Sequence, residues 1–150
     1  MQTGLFYVST WDGYQSTFFR VPVTYTEGRV YAGGWPQSHV PDTRSAENVR
    51  KDNEGYGTVR AIDPLTGQRR WEFKMNDVTD AGVLSTASNL VFSGGREGYF
   101  FALDARSGAL LWKATLGGVV ASGPMTYSVD GRQYIAVAAG HSLFAFALKK

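Results

Sequence analysis

From residue 57 onward the chain alternates short apolar runs, rich in Val, Ile, Phe and Tyr, with polar breaks of Gly, Asp, Ser and Asn. Runs of that length and composition, bounded by turn formers, predict strands. The pattern places them over 57–63, 69–75, 81–87, 90–95, 98–104, 110–115, 121–128, 133–139 and 142–148. Arg96-Glu97-Gly98 and Val129-Asp130-Gly131-Arg132 supply hairpin turns, and the Asp-Gly pair of the second predicts a tight type I′ connection. Residues 4–10 predict another strand with no lead-in, as expected for a piece of a longer frame. A polar and aromatic connection over 11–16 follows. Residues 18–25 and 29–34 predict a hairpin across Thr26-Glu27-Gly28, and Pro22 demotes its first strand to an edge or a bulge.

Superimposed on this alternation is a repeat. Ala61 to Trp71 reads A-I-D-P-L-T-G-Q-R-R-W and Ala102 to Trp112 reads A-L-D-A-R-S-G-A-L-L-W, with Ala, Asp, Thr or Ser, Gly and Trp at the same internal places, 41 residues apart. A period in this range signals a repeat architecture. Gly57-Thr58-Val59-Arg60 matches Gly98-Tyr99-Phe100-Phe101 at the same offset. Val30 to Gly34 and Val91 to Gly95 form a second shared block, 61 apart, so the earlier unit carries 20 extra residues. Phe146-Ala147-Leu148 repeats Phe101-Ala102-Leu103 and marks a third unit. In each core the Asp and Thr or Ser side chains bond local amides while Gly supplies positive φ, giving strand, turn, strand with Trp on the return. A Trp in every unit suits a large apolar body wedged between successive sheets with its indole N–H on a carbonyl, and Ala61 and Ala102 are small because something large lies against them.

The expected organisation is three antiparallel units near 18–75, 81–115 and 121–148, the last with only three strands. The extra stretch, 35–54, contains Pro36 and Pro41, four acids and three bases. It predicts a long surface loop, either a solvated decoration or a cap over a substrate or partner.

Composition narrows this little further. Eighteen Gly and 14% aromatic residues agree with an all-β chain of many turns. A net charge of +2 without a basic cluster gives no reason to expect nucleic acid. No apolar run reaches the length of a membrane span. The absence of Cys removes a disulfide framework and a Cys-based metal site and leaves the compartment open. The first ten residues do not read as a secretory signal.

Four-stranded antiparallel units at a period near 41 imply a β-propeller. The motif A-x-D-x-x-[T/S]-G-x-x-x-W resembles the tryptophan docking motif of the pyrroloquinoline quinone (PQQ) dependent alcohol dehydrogenases of the methanol and ethanol type. The likeness extends through T-G-L-F-Y-V at 3–8, G-T-V-R-A-I-D-P-L-T-G at 57–67, G-V-L-S-T-A at 82–87, L-V-F-S-G-G at 90–95, G-Y-F-F-A-L-D at 98–104 and G-P-M-T-Y with V-D-G-R-Q-Y-I-A-V over 123–137. It is colinear with the C-terminal end of that family. The resemblance implies that the chain is the last two to three blades of an eight-bladed ring, an incomplete ring whose remaining blades belong to the same parent chain. Made alone, such a piece leaves apolar faces and strand edges uncovered, which predicts poor solubility or self-association.

The resemblance further implies a periplasmic enzyme in which PQQ lies on the ring axis beside Ca²⁺, alcohol gives up hydride to the quinone, and a cytochrome c accepts the electrons. Most of the residues that hold PQQ and Ca²⁺ in the family, and its vicinal Cys pair, have no counterpart here. Two segments correspond to family pocket walls. One is Asp80-Ala81-Gly82, where the methanol dehydrogenase branch has W-G-G, so a carboxylate replaces an apolar lid; Asp80 alternatively caps a turn in N-D-V-T-D. The other is Val120-Ala121, an apolar pair near the axis in the family and alternatively ordinary strand packing. No residue of this chain is expected to be catalytic or to bind metal.

The remaining chemistry-bearing residues carry little. His39 and His141 stand in unrelated contexts. Asp63 and Asp104 recur with the repeat and are turn residues. Gly94-Gly95-Arg96-Glu97-Gly98 joins two strands and opens no helix, so it is a hairpin and no phosphate cradle. Ser85 and Ser122 lack the partners of a nucleophile. Three readings remain: part of a PQQ-dependent alcohol dehydrogenase, a quinoprotein-like propeller without cofactor that serves as a binding or scaffold protein, or a native product of this length whose copies associate into a ring.

Overall fold

The computed structural model describes residues 3–12, 16–20, 24–29, 34–38 and 55–148. Every regular element among them is a β-strand, and every strand pairing is antiparallel. The strands are β1 (Phe6–Asp12), β2 (Ser16–Arg20), β3 (Gly34–Ser38), β4 (Tyr56–Ile62), β5 (Arg69–Lys74), β6 (Leu84–Ser85), β7 (Leu90–Gly94), β8 (Tyr99–Asp104), β9 (Leu110–Thr115), β10 (Met125–Val129), β11 (Arg132–Ala139) and β12 (Ser142–Ala147). They form sheets in the orders β1-β4-β5, β6-β7-β8-β9 and β10-β11-β12, with β2 and β3 as a separate two-stranded sheet. The chain divides into two compact units: residues 13–54, holding β2 and β3, and the remainder, holding the three larger sheets.

The repeated motif sets the local geometry twice. Asp63 Oδ1 accepts the backbone N–H groups of Leu65 and Thr66, and Asp104 Oδ1 accepts those of Arg106 and Ser107. Each turn closes with a glycine N–H on the Asp carbonyl, at Gly67 (φ 71°) and Gly108 (φ 73°), a backbone shape that costs other residues about 1–2 kcal/mol. With turn length fixed, register is fixed. Trp71 therefore lies across from Ala61 and Trp112 across from Ala102, each just ahead of a register shift. The expected smallness of the two alanines has its cause in these opposing indoles.

Between the first and second sheets, Tyr7, Val59, Ala61 and Trp71 pack against Val91, Phe101 and Leu103. The indole of Trp71 lies over Gly108, where an added Cβ would meet ring carbon Cε3 at 2.6 Å. Its Nε1–H donates to the Ala105 carbonyl at 3.0 Å, and the Tyr7 hydroxyl donates to the same oxygen at 2.9 Å. A second core, with Phe100, Val120, Ile135, Val137 and Ala139, joins the second sheet to the third. Asp130 (φ 49°) and Gly131 (φ 73°) turn β10 into β11 with positive φ at both central residues, as the Asp-Gly pair predicts.

The outward faces of the first and third sheets differ. On the first, Arg60 bridges Asp12 and Glu72 at 2.8 and 2.7 Å. The hydrogen bond to Glu72, ahead of that to Asp12, holds its guanidinium above the ordinary arginine value. On the third, Met125, Val129 and Leu143 are exposed. The face of the first sheet is mixed, for Phe6 is also exposed beside the ion pairs of Arg60.

The first unit differs from the expectation of four strands over 18–75. The partner of β4 is β1, with Tyr7 opposite Ala61, and not the hairpin that precedes β4 in sequence. Among the described residues β2 (16–20) pairs with Gly34–Ser38, so the first residues of the expected 35–54 loop are strand. Residues 21–23, 30–33 and 39–54, with Pro22 and His39, lie outside the described residues. Alternation identifies strands but not which one pairs across a long insertion, and Val30–Gly33 of the shared block lie outside the described residues. The strands expected over 81–87 and 121–128 are also shorter, leaving Asp80–Gly82 and Val120–Ala121 in connections.

Candidate functional site

In antiparallel sheets successive connections alternate between two ends. One end carries the turns at 63–68, 86–89, 105–109 and 130–131. The other carries the departure of the chain at Asp12 and its return at Gly55, the connections at 76–83, 95–98 and 116–124, and the turn at 140–141. Both segments singled out from the sequence lie at this second end.

Here the connections meet backbone to backbone. A Cβ built on Gly82 falls 2.8 Å from the Cα of Gly123, and one on Gly118 falls 2.8 Å from the Gly140 nitrogen. One on Gly57 falls 2.6 Å from the Asp77 carbonyl oxygen, and one on Gly94 falls 2.7 Å from Val120 Cγ1. These approaches need glycine because any side chain would occupy space already held by a neighbouring segment. Val120 N–H donates to the Gly95 carbonyl at 3.1 Å and Gly140 N–H to the Val119 carbonyl at 2.9 Å. Small hydroxyls complete the fastening: Ser9 Oγ donates to the Ala81 carbonyl (3.0 Å), Thr79 Oγ1 to the Gly94 carbonyl (2.6 Å) and Ser93 Oγ to the Gly82 carbonyl (3.1 Å).

The five candidate residues divide into three kinds. Ala81 and Val120 are buried in the same core between the second and third sheets, so strand-like packing accounts for their side chains. Gly82 serves as the contact point with Gly123. Asp80 and Ala121 are exposed. The local amide bond in N-D-V-T-D is made by Asp77, whose Oδ1 accepts the Val78 N–H at 2.7 Å. The Asp80 carboxylate instead accepts Arg96 Nε–H at 2.7 Å, the two side chains being 34% and 26% exposed.

Arg96 and Trp11 are the residues that sequence reasoning passed over. The Arg96 guanidinium carbon stands 5.6 Å from the centre of the Trp11 ring. Trp11 donates Nε1–H to the Thr79 carbonyl at 2.6 Å. Three segments far apart in the chain thus converge on one acid, one base and one indole. The only sequence signal was a long cation at the centre of a tight turn whose other members are small or acidic. Asp63 and Asp104 are turn residues, as expected, and lie at the opposite end. Among the described residues no group of three or more His, Asp or Glu is placed to hold a metal ion, and no helix is long and apolar enough to cross a membrane.

Comparison with known proteins gives this geometry a family. The family model described as outer membrane protein assembly factor BamB matches residues 55–150. The quinoprotein ethanol dehydrogenase of Pseudomonas aeruginosa PAO1 is 39% identical over 139 residues, which is 93% of this chain and 20% of that protein. The lanthanide-dependent methanol dehydrogenase of Methylacidiphilum fumariolicum SolV is 33% identical over 140 residues, 93% of this chain and 22% of that one. Among solved structures, the quinohemoprotein alcohol dehydrogenase of Comamonas testosteroni superposes with a TM-score of 0.66 at 28% identity, covering 95% of this chain and 21% of its own. The chain spans about a fifth of the length of the curated relatives it matches. Its three stacked antiparallel sheets are blades of a β-propeller, and the chain belongs to the PQQ-type propeller family that includes the quinoprotein alcohol dehydrogenases.

Proposed function

We propose that the chain is the C-terminal part of a periplasmic PQQ-dependent alcohol dehydrogenase, and that it supplies ring closure and part of the cofactor pocket wall. The observation that carries this reading is the meeting of the two pocket-wall segments at one end, Gly82 against Gly123, in a chain aligned over nearly its whole length with quinoprotein dehydrogenases.

The residues present fit part of the rim of a planar, tri-anionic group. Arg96 supplies a cation at the wall, and its pairing neutralises the Asp80 carboxylate that would otherwise repel the cofactor. Among the described residues no cluster of carboxylates is placed to hold Ca²⁺ or a lanthanide. Bound PQQ would accept the hydride of the alcohol. This chain's residues would shape and orient: the interlocked backbones around Gly82, Gly94 and Gly118 hold the wall at fixed distance, and Val120 and Ala81 fill the space behind it. The remaining blades and a cytochrome c acceptor are the partners of this reading.

A second reading, a cofactor-free binding or scaffold propeller, draws on Asp80 in place of an apolar lid and on the BamB description of the matching family model. Adding PQQ and Ca²⁺ to the full polypeptide, and following both cofactor absorbance in the protein fraction and alcohol-dependent dye reduction, separates the two. Stoichiometric uptake with turnover is expected; a folded protein that takes up no PQQ would establish the scaffold instead.

A further inference from the structure

β5 and β9 are the outermost strands of adjacent sheets, and a cleft of about 130 Å³ opens between these sheets. Its lining comes from the unit that holds the three larger sheets, and none of the five candidate wall residues belongs to it. The floor is apolar. Phe73 of β5 and Phe101 of β8 meet there with ring centres 5.0 Å apart, and Met75 and the 46% exposed Leu110 extend it. An apolar cavity of about 150 Å³ accepts benzene, so this space suits one six-membered ring or a short aliphatic chain.

The charged groups that line the cleft are of two kinds. The acids, Asp77 and Glu97, sit in the connections and already accept backbone N–H groups: Asp77 Oδ1 that of Val78 at 2.7 Å, and Glu97 Oε1 that of Asp77 at 2.8 Å. The cations, Lys74 and Lys113, sit on strands, and each ammonium lies over a ring, 3.9 Å from the centre of Tyr56 and 4.0 Å from that of Tyr99. Neither lysine belongs to an ion pair among the described residues. A ring face attracts the charge but offers no lone pair, so an ammonium held in this way keeps N–H donors for an oxygen acceptor. Lys113 is also the cross-strand partner of Phe101, which places its cation on the same face as the apolar floor.

We infer that this cleft binds small organic anions that join one apolar ring or short chain to a carboxylate, the apolar body resting on Phe73 and Phe101 and the carboxylate accepting N–H from Lys113. Tyr99 is the positioning residue that holds the Lys113 ammonium beside the floor. Glu97 opposes an anion on its own side of the cleft and so orients the ligand with its charge toward β9. The site stands apart from the quinone wall and does not depend on the dehydrogenase reading.

The test is a titration of the full polypeptide carrying this chain with benzoate, and with benzamide and benzylammonium as its neutral and cationic counterparts, read by calorimetry and by saturation transfer from protein to ligand ring protons. Benzoate is expected to bind with a Kd on the order of millimolar, more weakly as salt is raised, and about tenfold more tightly than either counterpart. Lys113→Gln weakens benzoate about tenfold through loss of a charged hydrogen bond, whereas Lys113→Arg keeps most of the affinity. Glu97→Gln, which retains an acceptor for the Asp77 N–H, strengthens benzoate about twofold by removing a like charge. Leu110→Trp fills the cleft from its exposed rim and removes the saturation transfer, with an unchanged melting temperature showing that the variant folds. Absence of benzoate binding, a preference for benzylammonium, or equal benzoate affinity in Lys113→Gln and the unsubstituted protein overturns the inference and leaves the dehydrogenase reading standing.

Discussion

Trp71 and Trp112 occupy the same place in the same motif, yet one is 8% exposed and the other 40%. Trp71 lies on the Gly108 turn of the following sheet and donates to Ala105. Trp112 meets Phe100 and Phe146 edge-on, at 6.1 and 5.1 Å, and no second turn of the Asp-x-x-Ser-Gly kind covers it among the described residues. The turns show the mirror image. Gly108 is covered by an indole, whereas a Cβ added at Gly67, with nearly the same φ, would meet nothing within 4 Å. The motif is therefore half of an interaction, completed by the next repeat, and its energetic value is set by the sheet stacked against it.

Removing the indoles should separate the two copies most widely. Trp71→Ala is expected to cost about 3–5 kcal/mol, while Trp112→Ala costs roughly half as much because its side chain is only partly desolvated. Urea unfolding of both variants measures this, and equal shifts in the midpoint would abolish the contrast. The glycines come next. Gly108→Ala adds a clash with the Trp71 ring to the positive-φ strain, for about 2–4 kcal/mol, against about 1 kcal/mol of strain alone for Gly67→Ala. Thermal melts of the pair isolate the contribution of the covering indole.

Tyr7→Phe sharpens the comparison at smaller cost. It removes one of two donors from the Ala105 carbonyl and leaves the Trp71 N–H in place, so about 1 kcal/mol is expected by denaturant titration. The weakest effect is a pH dependence at Asp104. Its carboxyl is held below the ordinary value by the Ser107 N–H, then by the Arg106 N–H and the Ser107 hydroxyl. A carboxyl so lowered stabilises the fold fully above its unfolded value, near 3.8. The contribution fades as pH falls through 3.8 to the lower folded value. Asp104→Asn should flatten the melting temperature against pH in that acidic window and leave neutral pH behaviour with a small constant offset.

Local patterning made the repeats legible because the turn between Ala61 and Trp71 has a fixed length, and a fixed turn dictates which residues face each other. The third unit was legible through the recurrence of Phe146-Ala147-Leu148, and its first hairpin through Asp130-Gly131. The pairing of β1 with β4 was not, since the chain between them leaves for residues 13–54 and nothing in either strand encodes the other. The candidate wall was legible only through its resemblance to a family, which located Asp80–Gly82 and Val120–Ala121 without indicating which side chains face outward. Asp80 and Arg96 are joined by the stacking of loops at one end of the sheets, and no periodicity in the sequence reports such a meeting. Ala81 and Val120 illustrate the converse, residues of the same two segments whose side chains are consumed by the core.

The glycine contacts at the loop end have a consequence for how such proteins diversify. Where Gly82 touches Gly123 and Gly118 touches Gly140, the connections are pinned through main-chain atoms, so their positions depend little on the identity of neighbouring side chains. Residues beside these pins, such as Asp80, Arg96 and Ala121, can be exchanged by mutation while the frame that presents them stays put. A change at one such exposed position can therefore alter the chemistry of this surface without the loops being rebuilt.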